Sequence, residues 1–268
     1  MIARSLMLCA LIFSTGASTA FAQTDKAASK PAKKVLVELY TSQGCNSCPS
    51  ANDFLGELAR SGYGPDKIVP VAFHVDYFNQ PWTDPFSSKD YSRRELAYNS
   101  VLKRNDLYFT PMMMVDGRSP MLGSNRPEAI KAIKKALAEQ PGASLKLNLD
   151  DKPGSERKLA VEVAPLTTEI EGRTLMVGVT ITEGPISTKV RSGENAGQTL
   201  VEPFVVRSFA YQKSKLSPSK TESLEFPLQL AEGSVASKCR VSVFVQDWDN
   251  GQVYQADSVR WVAEPARK

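Results

Sequence analysis

The chain has 268 residues, with 33 Lys and Arg against 29 Asp and Glu, one histidine, four cysteines and a formal net charge of +4 at pH 7. Charges of both signs are interspersed and no basic block interleaves with aromatic residues, which argues against a nucleic-acid partner. Beyond the first residues the cysteines are Cys45, Cys48 and Cys239, too few for a disulfide scaffold.

Residues 1–22 read as an export signal. Arg4 precedes the apolar run Leu6 to Phe13, and small residues lead to Ala20-Phe21-Ala22, an A-x-A cleavage pattern. The run is too short to cross a membrane. The expectation is cleavage after Ala22 and an exported, periplasmic or secreted protein with no membrane span in the mature chain. Residues 23–33 have little to bury and read as a flexible leader.

Val35 to Tyr40 is apolar on both faces apart from Glu38, which favours a central parallel strand. A polar turn, Thr41-Ser42-Gln43-Gly44, leads to Cys45-Asn46-Ser47-Cys48-Pro49 at the start of a helix. Ala51, Phe54, Leu55 and Leu58 fall at helical spacing, and Ser61-Gly62 ends the run. A second buried strand, Ile68 to Val75, carries His74. The segment from Asp76 to Ser88 is rich in aromatics and prolines and reads as an ordered loop, with Phe78, Trp82 and Phe86 forming a rim near the site. A helix is predicted from about Asp90 to Lys103. Phe109 to Val115 reads as a strand ending in the Asp116-Gly117 turn, followed by a return strand at Ser119 to Leu122. A helix then starts at Pro127, with Ala129, Ile130, Ile133 and Leu137 on one face.

Pro141-Gly142 marks the expected boundary between a domain at 34–140 and another at 143–263. Past it the period becomes alternating: Leu159, Val161, Val163; Leu175, Val177, Val179, Ile181; Leu224, Phe226, Leu228, Leu230; Cys239, Val241, Val243, Val245. Turn residues separate these runs, which therefore read as an antiparallel β-sandwich.

The chemistry centres on the Cys-x-x-Cys. In an oxidising compartment so close a pair is a disulfide or a metal site. The positive end of the helix dipole favours a thiolate at Cys45, the attacking species in thiol–disulfide exchange, with Cys48 one turn further in to resolve the mixed disulfide. Glu38, a lone carboxylate in an apolar strand, is a candidate proton carrier for the buried thiol or, equally, a solvated or salt-bridged residue of a less buried strand. His74 ends a buried strand, where it could tune Cys45, ligate a metal or serve as a hydrogen-bonded core residue. Met112, Met113 and Met114 offer thioethers for copper(I) or plain core packing. Cys239 is in phase with Val241, Val243 and Val245 and reads as a small buried hydrophobe.

The order strand, Cys-x-x-Cys, helix, strand, helix, Thr110-Pro111 strand, Asp-Gly turn, strand, helix resembles the thioredoxin fold over roughly residues 33 to 140, with Asp76 to Lys103 as the main insertion. The resemblance implies a cis Thr110–Pro111 peptide facing the cysteines, with Thr110 and Pro111 as a substrate-binding platform. The fuller pattern Tyr40-Thr41-Ser42-Gln43-Gly44-Cys45-x-x-Cys48-Pro49, His74-Val75-Asp76-Tyr77, Thr110-Pro111 and Val115-Asp116-Gly117-Arg118 is similar to a narrower family of secreted bacterial proteins of unknown function with a thioredoxin-like domain. That resemblance runs over nearly all the mature chain, including Gly193-Glu194-Asn195-Ala196-Gly197. The expected architecture is an α/β, thioredoxin-like N-terminal domain with a helical insertion, followed by an all-β sandwich-like C-terminal domain. The favoured activity is thiol–disulfide oxidoreduction with periplasmic protein or small-molecule thiols and disulfides, needing neither metal nor cofactor. The alternatives are a copper(I)-binding protein or metallochaperone using Cys45, Cys48 and His74, and a non-catalytic binding module with a structural disulfide. The β region would dock partners or a second copy.

Overall fold

A computed structural model describes residues 31–218 and 220–263. The expected export signal at 1–22 and most of the expected leader at 23–33 therefore lie outside the described residues. Strand β1 (Val35–Thr41) is buried along its whole length and sits between β2 (Ile68–His74), to which it is parallel, and β3 (Met112–Val115), to which it is antiparallel. Asp116 and Gly117 both take positive φ, the Arg118 amide donates to the Val115 carbonyl, and the three residues 116–118 return the chain as β4 (Ser119–Leu122).

The two faces of β1 are covered differently. Val35, Val37 and Leu39 pack with Ala51, Phe54, Leu55 and Leu58 of α1 (Cys48–Arg60) and with Ala129 and Ile133 of α3 (Arg126–Leu137). Leu36 and Tyr40 point the other way and pack with Tyr91 and Tyr98 of α2 (Lys89–Val101). This is the two-residue alternation of a strand buried on both sides.

Beyond residue 142 come β5 (Ala143–Leu149), β6 (Glu156–Pro165), β7 (Leu175–Glu183), β8 (Ile186–Lys189), β9 (Thr199–Glu202), β10 (Val205–Ser214), β11 (Glu222–Gln229), β12 (Cys239–Asp247) and β13 (Val253–Arg260). β11, β6 and β5 form a three-stranded sheet, and β8 pairs with β9. The alternating residues of β6, β7, β11 and β12 meet in one apolar cluster around the buried Trp261.

The expected thioredoxin-like α/β domain with a helical insertion, followed by a separate β-sandwich, is not what forms. The protein is mostly β, and one mixed eight-stranded sheet runs through both halves in the order β13-β12-β7-β10-β2-β1-β3-β4. The join is at β10, which meets β2 at Val205 and Ala72 and pairs antiparallel with β7 along its length. The Ala72 amide also donates to the Phe204 carbonyl. The edge of β2 that an independent α/β domain would keep for itself is thus occupied by the C-terminal half. The described residues accordingly cluster as one compact unit. Apolar alternation reveals where strands lie, but the sheet each joins is decided by edge pairing between distant segments. Among the described residues, no helix is long and apolar enough to cross a membrane.

Candidate functional site: a clamped disulfide over a buried acid–histidine cluster

The chain leaves β1 at Thr41 and makes a tight turn in which the Gly44 amide donates to Ser42 Oγ and the Cys45 amide to the Ser42 carbonyl. Cys45 and Cys48 are joined as a disulfide. Pro49, without an amide hydrogen, fits the first turn of α1, where that hydrogen has no intrahelical acceptor. Asn46 and Ser47 are exposed, but Cys45 is only 2% exposed and Cys48 is fully buried.

The cover comes from residues distant in sequence. Asn195 Nδ2 donates to the carbonyls of Gln43 and Cys45, both at 2.9 Å. Glu194 accepts from the Asn46 amide at 2.9 Å. From the other side the loop between β2 and α2 closes in. A Cβ on Gly44 would stand 2.5 Å from the Phe78 carbonyl oxygen, so only glycine allows that approach. Trp82 Nε1 donates to Gln43 Oε1 at 3.1 Å.

Beneath the turn lies a dry charged cluster. His74 sits on the same face of the sheet as Ala72, the face covered by α1, and its neighbour across the sheet is Thr41. Its Nδ1 is 2.7 Å from Asp84 Oδ2, and its Nε2 faces Glu202 Oε1 at 3.8 Å. The Phe86 ring stands edge-on to the imidazole at 5.6 Å. Gln43 ties the cluster to the cysteine turn, its amide donating to Asp84 at 2.8 Å and its Nε2 to Glu202 at 2.6 Å.

Burial alone would drive the proton off His74, but the carboxylates of Asp84 and Glu202 outweigh it and hold the imidazole up at about 9. Burial likewise opposes ionisation of Asp84, yet His74 and the Gln43 and Phe86 amides keep its carboxyl below the ordinary value. At Glu202 burial prevails over His74 and raises the carboxyl. The resulting arrangement is an imidazolium–carboxylate pair with a second acid that resists ionisation, which limits the charge left in the dry interior.

Glu38 lies on the opposite face from the α1 side. It alternates with Val37 and Leu39, which pack under α1 and α3, and so turns toward α2. There it accepts from Arg94 Nε at 2.7 Å, the Tyr40 hydroxyl at 3.0 Å and the Tyr98 hydroxyl at 2.5 Å. It anchors α2 to the sheet rather than standing beside the sulfurs.

The Thr110–Pro111 peptide is cis. Pro111 accepts from the Gly123 amide at 2.8 Å, and a Cβ on Gly123 would lie 3.1 Å from the Pro111 Cβ and 3.0 Å from Ala51 Cβ. Pro111 thus stands close to the second turn of α1. Met112 and Met114 pack on the α2 side and Met113 on the α1 side, all fully buried. Cys239 is buried beside the Val235 carbonyl, and burial pushes its thiol up to about 11. Among the described residues, no group of three or more His, Cys, Asp and Glu is arranged to hold a metal ion.

Sequence reasoning found the cysteines and His74 but missed Gln43, Asp84, Glu194, Asn195 and Glu202. Glu95 was also missed. It is a buried acid of α2 that accepts from the Tyr77 hydroxyl and the Phe109 amide, and burial lifts it to about 8.

Fold and site together define a mixed-sheet protein whose disulfide turn is built by one half of the chain and covered by the other. The chain belongs to the family of proteins of unknown function designated DUF1223, whose model matches residues 36–246. Among solved structures it is similar to protein AGR_C_4864 from Agrobacterium tumefaciens, with 20% identity, 88% of this chain and 98% of that chain covered, and a TM-score of 0.67. It is also similar to HBP35 of Porphyromonas gingivalis, with 16% identity, 88% and 81% covered, and a TM-score of 0.68. These likenesses concern the fold. No curated protein matches the chain.

Proposed function

We propose that the protein is an exported thiol–disulfide oxidoreductase acting through Cys45 and Cys48. In the reduced form the Cys45 thiolate attacks one sulfur of a partner disulfide, forming a mixed disulfide and releasing a partner thiolate. The Cys48 thiolate then attacks Cys45 Sγ, restoring the Cys45–Cys48 bond and releasing the second partner thiolate. Two electrons pass to the partner, and the reverse sequence oxidises a dithiol.

The observation that carries this reading is the placement of the pair at the head of α1, in a turn that Gln43 ties to the Asp84–His74–Glu202 cluster. A thiolate at that helix end meets the positive end of the dipole. Thr110 and Pro111 would receive the partner's backbone, while Glu38 serves as the anchor of α2. The export signal at residues 1–22 supports an oxidising compartment, where such a disulfide persists.

One observation favours a second reading, a binding module with a structural disulfide: both cysteines are buried, and Glu194 and Asn195 hold the backbone of their turn. Equilibration with glutathione buffers, together with reduction of insulin disulfides, separates the two. Reversible titration of the pair and measurable insulin reduction support the oxidoreductase. A pair that withstands reduced glutathione and transfers no electrons supports the structural role.

A further inference from the structure

The face of the sheet away from the disulfide carries a cavity of about 750 Å³ between α2 and strands β7, β10 and β12. That volume is in the range of small-molecule sites, about 300–1,000 Å³. We propose that it binds a small planar aromatic molecule bearing a hydrogen-bond acceptor, a carboxylate or carbonyl oxygen.

The wall is a ladder of rings. Phe244 and Phe209 stack at 6.3 Å, Phe209 and Tyr211 at 6.0 Å, and Tyr211 meets Trp248 at 5.9 Å. The inner rung is buried, whereas Tyr211 and Trp248 stand 47% and 38% exposed at the mouth. Lys213 Nζ lies 3.4 Å from the Trp248 ring centroid and steadies it from outside. An aromatic ligand can continue this stacking, and exposed rings gain most from being covered.

The polar feature is Arg94, whose side chain is 8% exposed and which lines the cavity with Met176. Its Nε is taken by Glu38, and its Nη2 by the Tyr98 hydroxyl and Gln246 Oε1. Nη1 reaches only the Met176 sulfur, at 4.0 Å. A thioether is a weak acceptor, so although the guanidinium also lies over the Phe244 and Phe209 rings at 4.9 and 5.2 Å, Nη1 at the cavity wall has no oxygen acceptor, which an incoming ligand can supply. Of the two carboxylates in the lining, Asp90 pairs with Arg93 at the exposed rim, and Asp247 is engaged by Arg173, the Tyr254 hydroxyl and the Asp249 and Asn250 amides. The free polar capacity is therefore a donor, which selects an acceptor-bearing ligand and disfavours a cation.

Calorimetric titration with 2-naphthoate and with the cation 2-naphthylmethylamine tests this on the full chain. The expected result is one saturable site for 2-naphthoate, with the amine at least about tenfold weaker. Ala97→Phe with Ala210→Phe fills the cavity from two exposed positions and abolishes binding. Trp248→Ala, which opens space instead, weakens binding about tenfold, and Cys45→Ser with Cys48→Ser leaves it unchanged. No saturable heat up to about 1 mM, equal affinity for the two probes, or undiminished naphthoate binding in either the filled or the Trp248→Ala protein overturns the proposal.

Discussion

His74 Nε2 and Glu202 Oε1 face each other across 3.8 Å in a dry pocket, neither with a hydrogen-bond partner, while Asp84 engages the other imidazole nitrogen. The histidine is held charged by one acid from the β2–α2 loop and one from strand β9, and the second arrives with the C-terminal half of the chain.

The pH dependence follows from the raised histidine. Its folded value of about 9 lies above the ordinary 6.5, so its contribution is fully present below pH 6.5 and is lost as pH rises through 9. His74→Gln is expected to cost about 2–4 kcal/mol at pH 6, because Asp84 and Glu202 lose the cation between them. The gap between variant and wild type should shrink toward pH 9–10. Urea melts of both proteins across this range measure it, and a constant gap would contradict the assignment.

Glu95 has the opposite sign. Its carboxyl is raised to about 8 from an ordinary 4.5, so folding keeps a proton that the unfolded chain releases, and stability falls as pH rises from 4.5 to 8. Glu95→Gln removes that dependence. Relative to wild type it should gain about 4–5 kcal/mol between pH 4.5 and pH 8, read as a growing difference in denaturation midpoint.

Asn195 is expected to govern access to the sulfurs. Asn195→Ala strips the Gln43 and Cys45 carbonyls of a shared donor at a cost of about 1–3 kcal/mol. Reduction of Cys45–Cys48 by dithiothreitol, followed by thiol labelling, should accelerate in the variant. An unchanged reduction rate would show that the clamp does not limit access.

Glu38→Ala leaves the guanidinium of Arg94 buried without its carboxylate, which should destabilise the fold by about 3–5 kcal/mol. Because Glu38 faces α2, the reduction potential of the cysteine pair should stay at its wild-type value. A shifted potential with intact folding would restore Glu38 as a proton carrier.

Elements set by local pattern were legible in the sequence. Apolar spacing marks α1, and the Asp-Gly pair marks the β3–β4 hairpin. What escaped depended on distant closure. Glu38 was read as a neighbour of the thiol, yet Val37 and Leu39 take the α1 side, and a one-residue step reverses the face. Glu202, in a four-residue strand with exposed Thr199 and Val201, looks from sequence like part of a solvated edge. Asp84 lies among prolines and aromatics and resembles a turn residue. Glu202 meets Gln43 and His74 only when the β8–β9 hairpin is brought over the cysteine turn, and Asp84 meets them only when the β2–α2 loop folds back on that turn.

That arrangement also imposes a schedule. Asn195 follows Cys45 by 150 residues, so an emerging chain presents its two sulfurs long before their cover has been made. Oxidants meet an open pair in the nascent protein and a shielded one in the finished molecule. Exchange in the finished molecule thus needs a movement of that cover which the growing chain does not.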